Sequence, residues 1–298
     1  MTIAVLMSVY NGETYLPQQL ESLAKQTVAD SMTVYIRDDG SSDATISIIE
    51  QWRTKLSIVL IRGENVGPAQ SFWKLLTNPD IQADYYAFCD QDDVWDSDKL
   101  ETGIQSLKGC THLSLCNCRL IDEGGTVIQE RMYDTPPQIN LIRQFVCGVA
   151  QGCSMVFTDG LRHYFLEQKI SCIPMHDTIV ILHALGFGKV VWEGKPKFSY
   201  RLHDKNVVAK GNKSFQKKLR TTWWNWKNGS CHSMAEVAAE LLKKPLQMTV
   251  DERRYLAHVT SYRTLLRSKS YILRNAYTDS VPWRAVRSYY LRVLLNLY

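Results

Sequence analysis

Three carboxylates lie within four positions of the chain, at Asp90, Asp92 and Asp93. They follow an apolar run at residues 85–88 that is typical of the end of a buried strand. Because side chains at positions i and i+2 of an extended chain point to the same side, Asp90 and Asp92 can converge on one cation or one sugar diphosphate. A hard divalent ion, Mg²⁺ or Mn²⁺, suits carboxylate oxygens together with phosphates. The competing interpretation is an acidic turn in which one aspartate caps the next helix.

Polar turns follow two other predicted strands. Asp38 and Asp39 begin a turn that ends at Asp43. The Asp38 carboxylate could accept a hydrogen bond from a pyrimidine N–H or a ribose hydroxyl, although an N-capped turn also explains the pattern. Asn65, two residues before Gly67, could place its amide beside a phosphate, and a simple glycine turn explains it nearly as well.

Three further candidates lie in the second half of the chain. Asp177 follows His176 at the start of a predicted helix, so it is either the helix N-cap or a general base within reach of a sugar hydroxyl. His203 ends a predicted strand, where an imidazole could complement carboxylates at Mn²⁺. Arg201 could face a phosphate or pair with an acidic surface. No direct role is predicted for His176.

Alternating strands and helices must position these residues. Apolar runs predict strands at residues 2–9, 32–36, 56–61 and 85–89, and helical spacing predicts helices at residues 14–26, 44–52 and 69–76. This alternation predicts a doubly wound, mostly parallel α/β sheet. Ligands bind such sheets at the carboxyl ends of the strands, so the polar turns should share one crevice.

The second half of the chain has a mixed pattern. It predicts strands at residues 113–120, 153–157, 189–192 and 198–202, and a helix at residues 178–185. From about Lys213 the pattern is helical. Residues 211–298 hold 16 basic and 5 acidic residues, a net charge of +11, whereas residues 1–210 have a net charge of −6. We therefore expect two regions, 1–210 and 211–298.

Composition narrows the class of protein. The chain has 298 residues, of which 45% are hydrophobic, and no apolar run is long enough to predict a membrane-spanning helix. Its N-terminus does not resemble a signal peptide. Eight cysteines without a Cys-x-x-Cys pair favour a reduced, cytoplasmic protein over a zinc ribbon. Neither a dinucleotide-binding glycine motif nor a P-loop occurs.

The ordered set of motifs resembles the family 2 glycosyltransferases of the GT-A fold, and among them the bacterial rhamnosyltransferase-like members. The resemblance covers roughly residues 1–210. The segments that carry it are Ser8-Val9-Tyr10-Asn11-Gly12, Arg37-Asp38-Asp39-Gly40-Ser41-Ser42-Asp43, Asn65-Val66-Gly67, Cys89-Asp90-Gln91-Asp92-Asp93-Val94-Trp95, His176-Asp177, and Tyr200-Arg201-Leu202-His203 with Asn206-Val207-Val208.

The resemblance implies a role for each residue. Asp38 would contact the base and Asp90 the ribose or diphosphate. Asp92 and His203 would hold Mn²⁺ or Mg²⁺, and Asp177 would be the catalytic base of an inverting transfer. The other residues implied in the nucleotide-sugar site are Val9, Tyr10, Asn11, Asp39, Asn65, Gln91 and Arg201. The donor would be dTDP-rhamnose or a UDP-sugar, and the acceptor a saccharide or a lipid-linked saccharide in cell-surface polysaccharide synthesis.

The chain departs from the family pattern near both sugars. Leu202-His203-Asp204 stands where Gln-His-Gly is usual, and Thr178-Ile179 stands where aromatic residues often follow the His-Asp pair. The departures leave the donor sugar and the acceptor unassigned. Two other classes stay open: a nucleotidyltransferase, and a non-catalytic nucleotide-sugar-binding partner in a polysaccharide-assembly complex.

The C-terminal region has no matching motif. Residues 223–227 and 283–295 mix aromatic, basic and apolar side chains. Three interpretations fit this mixture: peripheral contact with the inner face of the cytoplasmic membrane, a helix packed on the core, or an oligomer interface. Nucleic-acid binding would fit the charge, but the acidic N-terminal crevice argues against it.

Overall fold

The computed structural model describes residues 1–109, 111–203, 233–276, 278–279 and 281–298. The strands are β1 (Ile3–Val9), β2 (Met32–Asp38), β3 (Ile58–Arg62), β4 (Tyr85–Cys89), β5 (Val94–Trp95), β6 (Thr111–Ile121), β7 (Val127–Gln129), β8 (Met155–Thr158) and β9 (Lys189–Arg201). The helices are α1 (Leu16–Ala24), α2 (Thr45–Trp52), α3 (Pro68–Leu76), α4 (Lys99–Ser106), α5 (Leu141–Val146), α6 (Asp159–Glu167), α7 (His176–Phe187), α8 (Ser233–Lys243), α9 (Val250–Ser261), α10 (Leu266–Arg274) and α11 (Trp283–Leu294).

The strands form one mixed sheet in the order β3-β2-β1-β4-β8-β6-β9-β5, with β7 paired to β6. Strands β3, β2, β1 and β4 are parallel. Strand β8 runs antiparallel to both β4 and β6, and β9 is parallel to β6. The predicted α/β class, with a parallel first half and a mixed second half, is confirmed.

Hydrophobic cores lie on both faces of the sheet. In β1, Val5 and Met7 belong to the core beneath α1 and α2, whereas Ala4 and Leu6 belong to the core beneath α3 and α7. Strands buried on both faces carry continuous apolar runs instead of alternating patterns. This burial explains why β1 and β4 could be located from sequence.

The C-terminal helices pack on the second of these cores. Tyr255, Tyr289 and Tyr298 are fully buried, and the Tyr255 and Tyr289 hydroxyls lie 2.8 Å apart. The Tyr298 hydroxyl donates to the Phe145 carbonyl on α5. One face of this region therefore belongs to the same core as the sheet. The predicted boundary at residue 210 and the segments 206–208 and 223–227 lie outside the described residues.

Strand β9 and helix α6 are among the elements that differ from the sequence predictions. The strands predicted at residues 189–192 and 198–202 are one strand, β9, whose register against β6 shifts around Asn117. Gly194 and Pro196 interrupt its apolar pattern, which explains the apparent gap. Helix α6 was not predicted, although the Thr158 side chain caps it by accepting from the Leu161 N–H at 3.4 Å.

Within the described ranges, the helices are too short or too polar for any of them to traverse a lipid bilayer. The C-terminal helices α8–α11 are each 9 to 12 residues long. Spanning the hydrocarbon layer takes about 20 apolar residues.

Candidate active site

A cleft of about 650 Å³ opens at the carboxyl ends of the parallel strands. It is bounded by the turns after β1 to β4, by the first turn of α7 and by the residues that follow β9. The predicted site residues that line it are Tyr10, Asn11, Asp39, Asn65, Asp90, Gln91, Asp92, Asp177 and His203. Val9, Asp38 and Arg201 do not line it. The fold therefore gathers residues from segments as far apart as 10–12 and 203.

Asp92 and His203 meet in this cleft. Nε2 of His203 lies 2.7 Å from Oδ2 of Asp92, and the two side chains are only 8% and 16% exposed, respectively. The His203 ring stacks on Tyr15, with ring centroids 5.1 Å apart. The carboxylate and the imidazole that the sequence predicted as metal ligands are therefore neighbours, 111 residues apart in the chain.

The other two carboxylates have different surroundings. Desolvation at the base of the cleft, reinforced by the Asp92 carboxylate, raises the pKa of Asp90 to about 7. Asp93 is almost fully buried, and burial raises its pKa well above the usual range. One oxygen of each carboxylate and the sulfur of Cys153 lie within 4.8 Å of one another. The segment thus crowds carboxyl groups at the cleft floor, where a nearby cation would favour their ionised forms.

Arg201 lies behind the acidic turn. Its Nε donates to the Asp92 carbonyl at 2.9 Å, and Nη1 donates to the Glu123 carbonyl at 3.0 Å. Its backbone N–H donates to Asp93 at 3.2 Å. The side chain is buried, so the sequence expectation that it faces a phosphate is not what the structure shows. Its contacts hold the backbone of the acidic turn in place.

Gln91 joins the turn after β4 to the turn after β1. Its Oε1 accepts from the Tyr10 N–H at 2.9 Å, and its Nε2 donates to the Tyr10 carbonyl at 3.2 Å. A Cβ on Gly12 would lie 2.4 Å from Oε1 of Gln91, so a side chain there would displace the Gln91 amide from Tyr10. Gln91 lines the cleft, but its amide is occupied by the backbone of Tyr10.

The turn after β2 is held by a buried ion pair. Arg37 pairs with Asp39, whose carboxylate also accepts from the N–H groups of Val66 and Gly67 at 3.0 and 2.9 Å. Asp39 therefore fixes the turn after β3 that carries Asn65. The Asp38 carboxylate accepts from the Ser41 N–H at 3.1 Å and is 5% exposed. Asp38 lies beneath the turn, away from the cleft lining.

The backbone of the first turn is also fixed. Asn11 has a positive φ of 47°, and its Oδ1 accepts from the Ser42 N–H at 2.8 Å. Val9 is fully buried, and its carbonyl accepts from the Asp39 N–H at 2.8 Å. Asn11 thus contributes one wall of the cleft, while Val9 supports it from below.

Asp177 lies in the first turn of α7 and faces the cleft. Its Oδ1 accepts from the Thr178 N–H at 2.6 Å. His176, beside it, is 3% exposed and stacks on Phe72 at 4.1 Å between ring centroids. Burial lowers the pKa of His176 to about 4, so the ring is neutral near pH 7. Sequence reasoning did not single out its contact with the cleft.

Lys99 is the least expected residue near the site. Its side chain is buried beneath the acidic turn, with Nζ 3.6 Å from the centroid of the Trp95 ring. Nζ has no hydrogen-bond partner among the described residues, and burial lowers the pKa of Lys99. The sequence signal for this contact was the position of Lys99 four residues after Trp95. The face of the Trp95 ring is the contact that favours its ammonium form there.

The sequence model of glycosyl transferase family 2 matches residues 4–165, just over half of the chain. The chain therefore belongs to glycosyl transferase family 2, and it is a glycosyltransferase. The matched range contains the turns after β1 to β4, which supply most of the cleft lining.

Individual relatives agree with this assignment. A dTDP-rhamnosyl transferase, RfbG of Shigella flexneri, is 26% identical over 233 residues, which cover 72% of this chain and 77% of that protein. The fold is similar to Staphylococcus aureus TarS 1–349 in complex with UDP-GlcNAc, with a TM-score of 0.63, 18% identity, and coverage of 100% of this chain and 80% of TarS. A Pyrobaculum calidifontis mannosyltransferase in complex with GDP-Man and Mn²⁺ has a TM-score of 0.56 and 15% identity, over 99% of this chain and 80% of that one.

Proposed function

We propose that the protein transfers a sugar from a nucleoside diphosphate to a hydroxyl group by a single, inverting displacement. The observation that carries the proposal is the meeting of Asp177, Asp92 and His203 in one cleft at the strand ends. Asp177 accepts the proton of the acceptor hydroxyl while the hydroxyl oxygen attacks the anomeric carbon. The bond from that carbon to the diphosphate breaks, and the leaving group takes up negative charge on the acidic side of the cleft.

The turns after β1 to β3 form the proposed nucleotide side of the cleft. Tyr10 is 48% exposed there and can stack on a base, while Asn11 and Asn65 offer amide groups. The UDP-GlcNAc complex of TarS supports a nucleotide-sugar donor for a chain of this fold. The similarity to a dTDP-rhamnosyl transferase favours dTDP-rhamnose, with UDP-sugars as the other donors to test.

A divalent ion fits the acidic side of this cleft. Asp92 and His203 line it, with Oδ2 of Asp92 2.7 Å from Nε2 of His203. Burial and the Asp92 carboxylate raise the pKa of Asp90, and a cation bound there would offset both effects. The alternative set of Asp90, Asp93 and Cys153 fits Mn²⁺ or Mg²⁺ less well, because burial raises the pKa of the Cys153 thiol and sulfur suits softer metals. We therefore assign Asp92 and His203 as ligands, with Asp90 beside them. An ion held there would neutralise part of the negative charge of the departing diphosphate.

The acceptor side is formed by α7 and the turn before β8. Gln151, Gly152 and Met175 line the cleft beside Asp177. A Cβ on Gly152 would lie 2.4 Å from Nε2 of His176, so this wall has no room for a side chain. We propose a saccharide or lipid-linked saccharide acceptor and a role in cell-surface polysaccharide synthesis.

Replacement of the proposed base tests this function. Asp177→Asn keeps the size of the side chain and removes its basicity, so we expect the transfer rate to fall by ~10²–10⁴. Nucleotide binding should remain within a few-fold of the wild-type value. The measurement is release of nucleoside diphosphate from dTDP-rhamnose and UDP-sugars with Mn²⁺ and saccharide acceptors, with thermal shift for binding.

Asp251→Asn is the matched control, because Asp251 is an exposed carboxylate in the first turn of α9. That variant should keep full activity. Wild-type turnover by Asp177→Asn would refute the assignment of the base.

A further inference from the structure

Helix α11 carries two apolar stripes. The buried stripe contains Tyr289 and Val293, both fully buried against the core. The exposed stripe contains Trp283, Tyr290, Leu291 and Leu294, which are 66%, 37%, 47% and 54% exposed. The spacing of i, i+7, i+8 and i+11 places these four on one side of the helix. Packing on the core therefore explains only one of the two stripes.

Arginines share the exposed stripe. Arg287, one turn after Trp283, lies on the same side of the helix, and the Arg284 guanidinium lies 5.8 Å from the centroid of the Trp283 ring. Residues 263–298 contain seven basic residues and a single acidic one, Asp279. The segment that carries the stripe is thus strongly basic.

The start of α10 extends the same surface. Nζ of Lys269 donates to the Leu294 carbonyl at 3.2 Å, so the N-terminal half of α10 lies next to the C-terminal end of α11. Leu266, three residues before Lys269, is 82% exposed, and Leu295 is 60% exposed. Arg267 is exposed beside them. The apolar and basic side chains therefore form one patch across two helices.

An open groove crosses the patch. It has a volume of about 460 Å³ and is lined mainly by apolar side chains. The apolar and aromatic residues of its lining are Val281, Trp283, Val286, Tyr290, Leu291 and Leu294. A groove of this kind can take up acyl chains or the apolar part of a headgroup region.

We propose that the patch on α10 and α11 docks the protein onto an anionic membrane surface. The arginines would lie at the level of the phosphates, while Trp283, Leu291 and Leu294 enter the boundary between headgroups and acyl chains. A second copy of the chain fits less well, because a two-fold interface sets a patch against its own copy and would bring like-charged arginines together. Docking itself is independent of the catalytic assignment, whereas delivery of a lipid-linked acceptor to the cleft rests on it.

Vesicle flotation with the full chain tests the proposal. We expect binding to vesicles of 30% phosphatidylglycerol in phosphatidylcholine at low salt, weaker binding at high salt, and little binding to pure phosphatidylcholine. The double variant Arg284→Gln/Arg287→Gln should bind the anionic vesicles about 30-fold more weakly. Trp283→Ser/Leu294→Ser should lose the binding that survives high salt.

The control is Arg53→Gln/Val59→Ser. It removes one exposed charge at the end of α2 and one exposed apolar side chain in β3, both outside the patch. It should bind as the wild type does. Asp177→Asn should also bind normally, so a failure of docking is distinguishable from a failure of the catalytic proposal. Thermal shift with a nucleoside diphosphate verifies that each variant is folded.

Absence of wild-type binding to anionic vesicles at low salt would overturn the proposal. Equal binding by the patch variants and the wild type would overturn it as well. Sedimentation velocity tests whether a second copy of the chain occupies the patch instead. If the wild type is a dimer that does not bind vesicles, and the Trp283→Ser/Leu294→Ser variant is a monomer, the patch is a dimer interface.

Discussion

The neighbouring carboxylates Asp90, Asp92 and Asp93 have different roles at the cleft floor. Asp90 and Asp92 line the cleft, whereas Asp93 is buried behind it and accepts from the backbone of Arg201. The chain turns at residues 91–92 and re-enters the sheet at β5, and this change of direction places Asp93 on the buried side. The buried Asp93 therefore anchors the turn, and its neighbours remain available to a ligand.

Arg201 should act as a positioning residue. Arg201→Gln removes the fork of donors that holds the carbonyls of Asp92 and Glu123, so the acidic turn loosens. We expect Mn²⁺ affinity, measured by titration of the donor-bound enzyme, to fall at least about tenfold. Arg201→Lys should not restore it, because an ammonium lacks the planar fork.

The control for this experiment is Arg119→Gln, which breaks the ion pair with Asp96 elsewhere in the sheet. It should leave Mn²⁺ affinity unchanged. A folded Arg201→Gln variant with wild-type Mn²⁺ affinity would show that Arg201 only stabilises the fold.

At the scale of elements, α7 joins the proposed base to the core. His183, in its third turn, is 1% exposed, and its Nδ1 lies 2.9 Å from the Tyr164 hydroxyl. Burial lowers the pKa of His183 to about 3, as it lowers that of His176 to about 4. Both rings are therefore neutral in the folded protein at pH values where an unfolded histidine, with a pKa near 6.5, takes up a proton.

The two buried histidines should each remove stability as the pH falls from about 6.5 toward 4. At these sites the unfolded chain binds the proton first, so their contribution is complete above the unfolded pKa and declines below it, whereas Asp90 and Asp93, whose pKa burial raises, contribute in the opposite direction. At pH 5 each buried histidine accounts for up to about 2 kcal/mol. Urea unfolding at pH 7 and pH 5 measures the loss.

His183→Gln should show a smaller loss between pH 7 and pH 5 than the wild type does. His163→Gln, at an exposed position on α6, is the control and should match the wild type. An unchanged loss in His183→Gln would contradict the neutral, buried state of this ring.

Sequence alone predicted those elements whose pattern is local. Strand β4 was predicted with its observed bounds, because continuous apolar residues mark a strand buried on both faces. Asp92 and His203 were each predicted as possible metal ligands from their residue types, and the family resemblance paired them. The interior position of Arg201 could not be predicted, because it depends on the pairing of β9 with β6 and on carbonyls at Asp122 and Glu123. Such non-local contacts leave no periodic signal.

At the scale of the whole molecule, charge is divided between the two regions. Residues 1–210 carry a net charge of −6 and contain the cleft, whereas residues 211–298 carry +11 and contain the exposed patch on α10 and α11. The two described regions share one core, so the patch is rigidly connected to the sheet that forms the cleft. This arrangement suits an enzyme that must present its acceptor side to a charged surface while it holds a cation and a diphosphate.

The central claim is that Asp92 and His203 hold a cation against a nucleoside diphosphate in the cleft. A crystal structure with UDP or dTDP and Mn²⁺, with anomalous data for manganese, tests it most directly. We expect one manganese peak bonded to the Asp92 carboxylate, the His203 imidazole and the diphosphate, with the base near Tyr10. A nucleotide bound outside this cleft, or a manganese peak away from both ligands, would contradict the account.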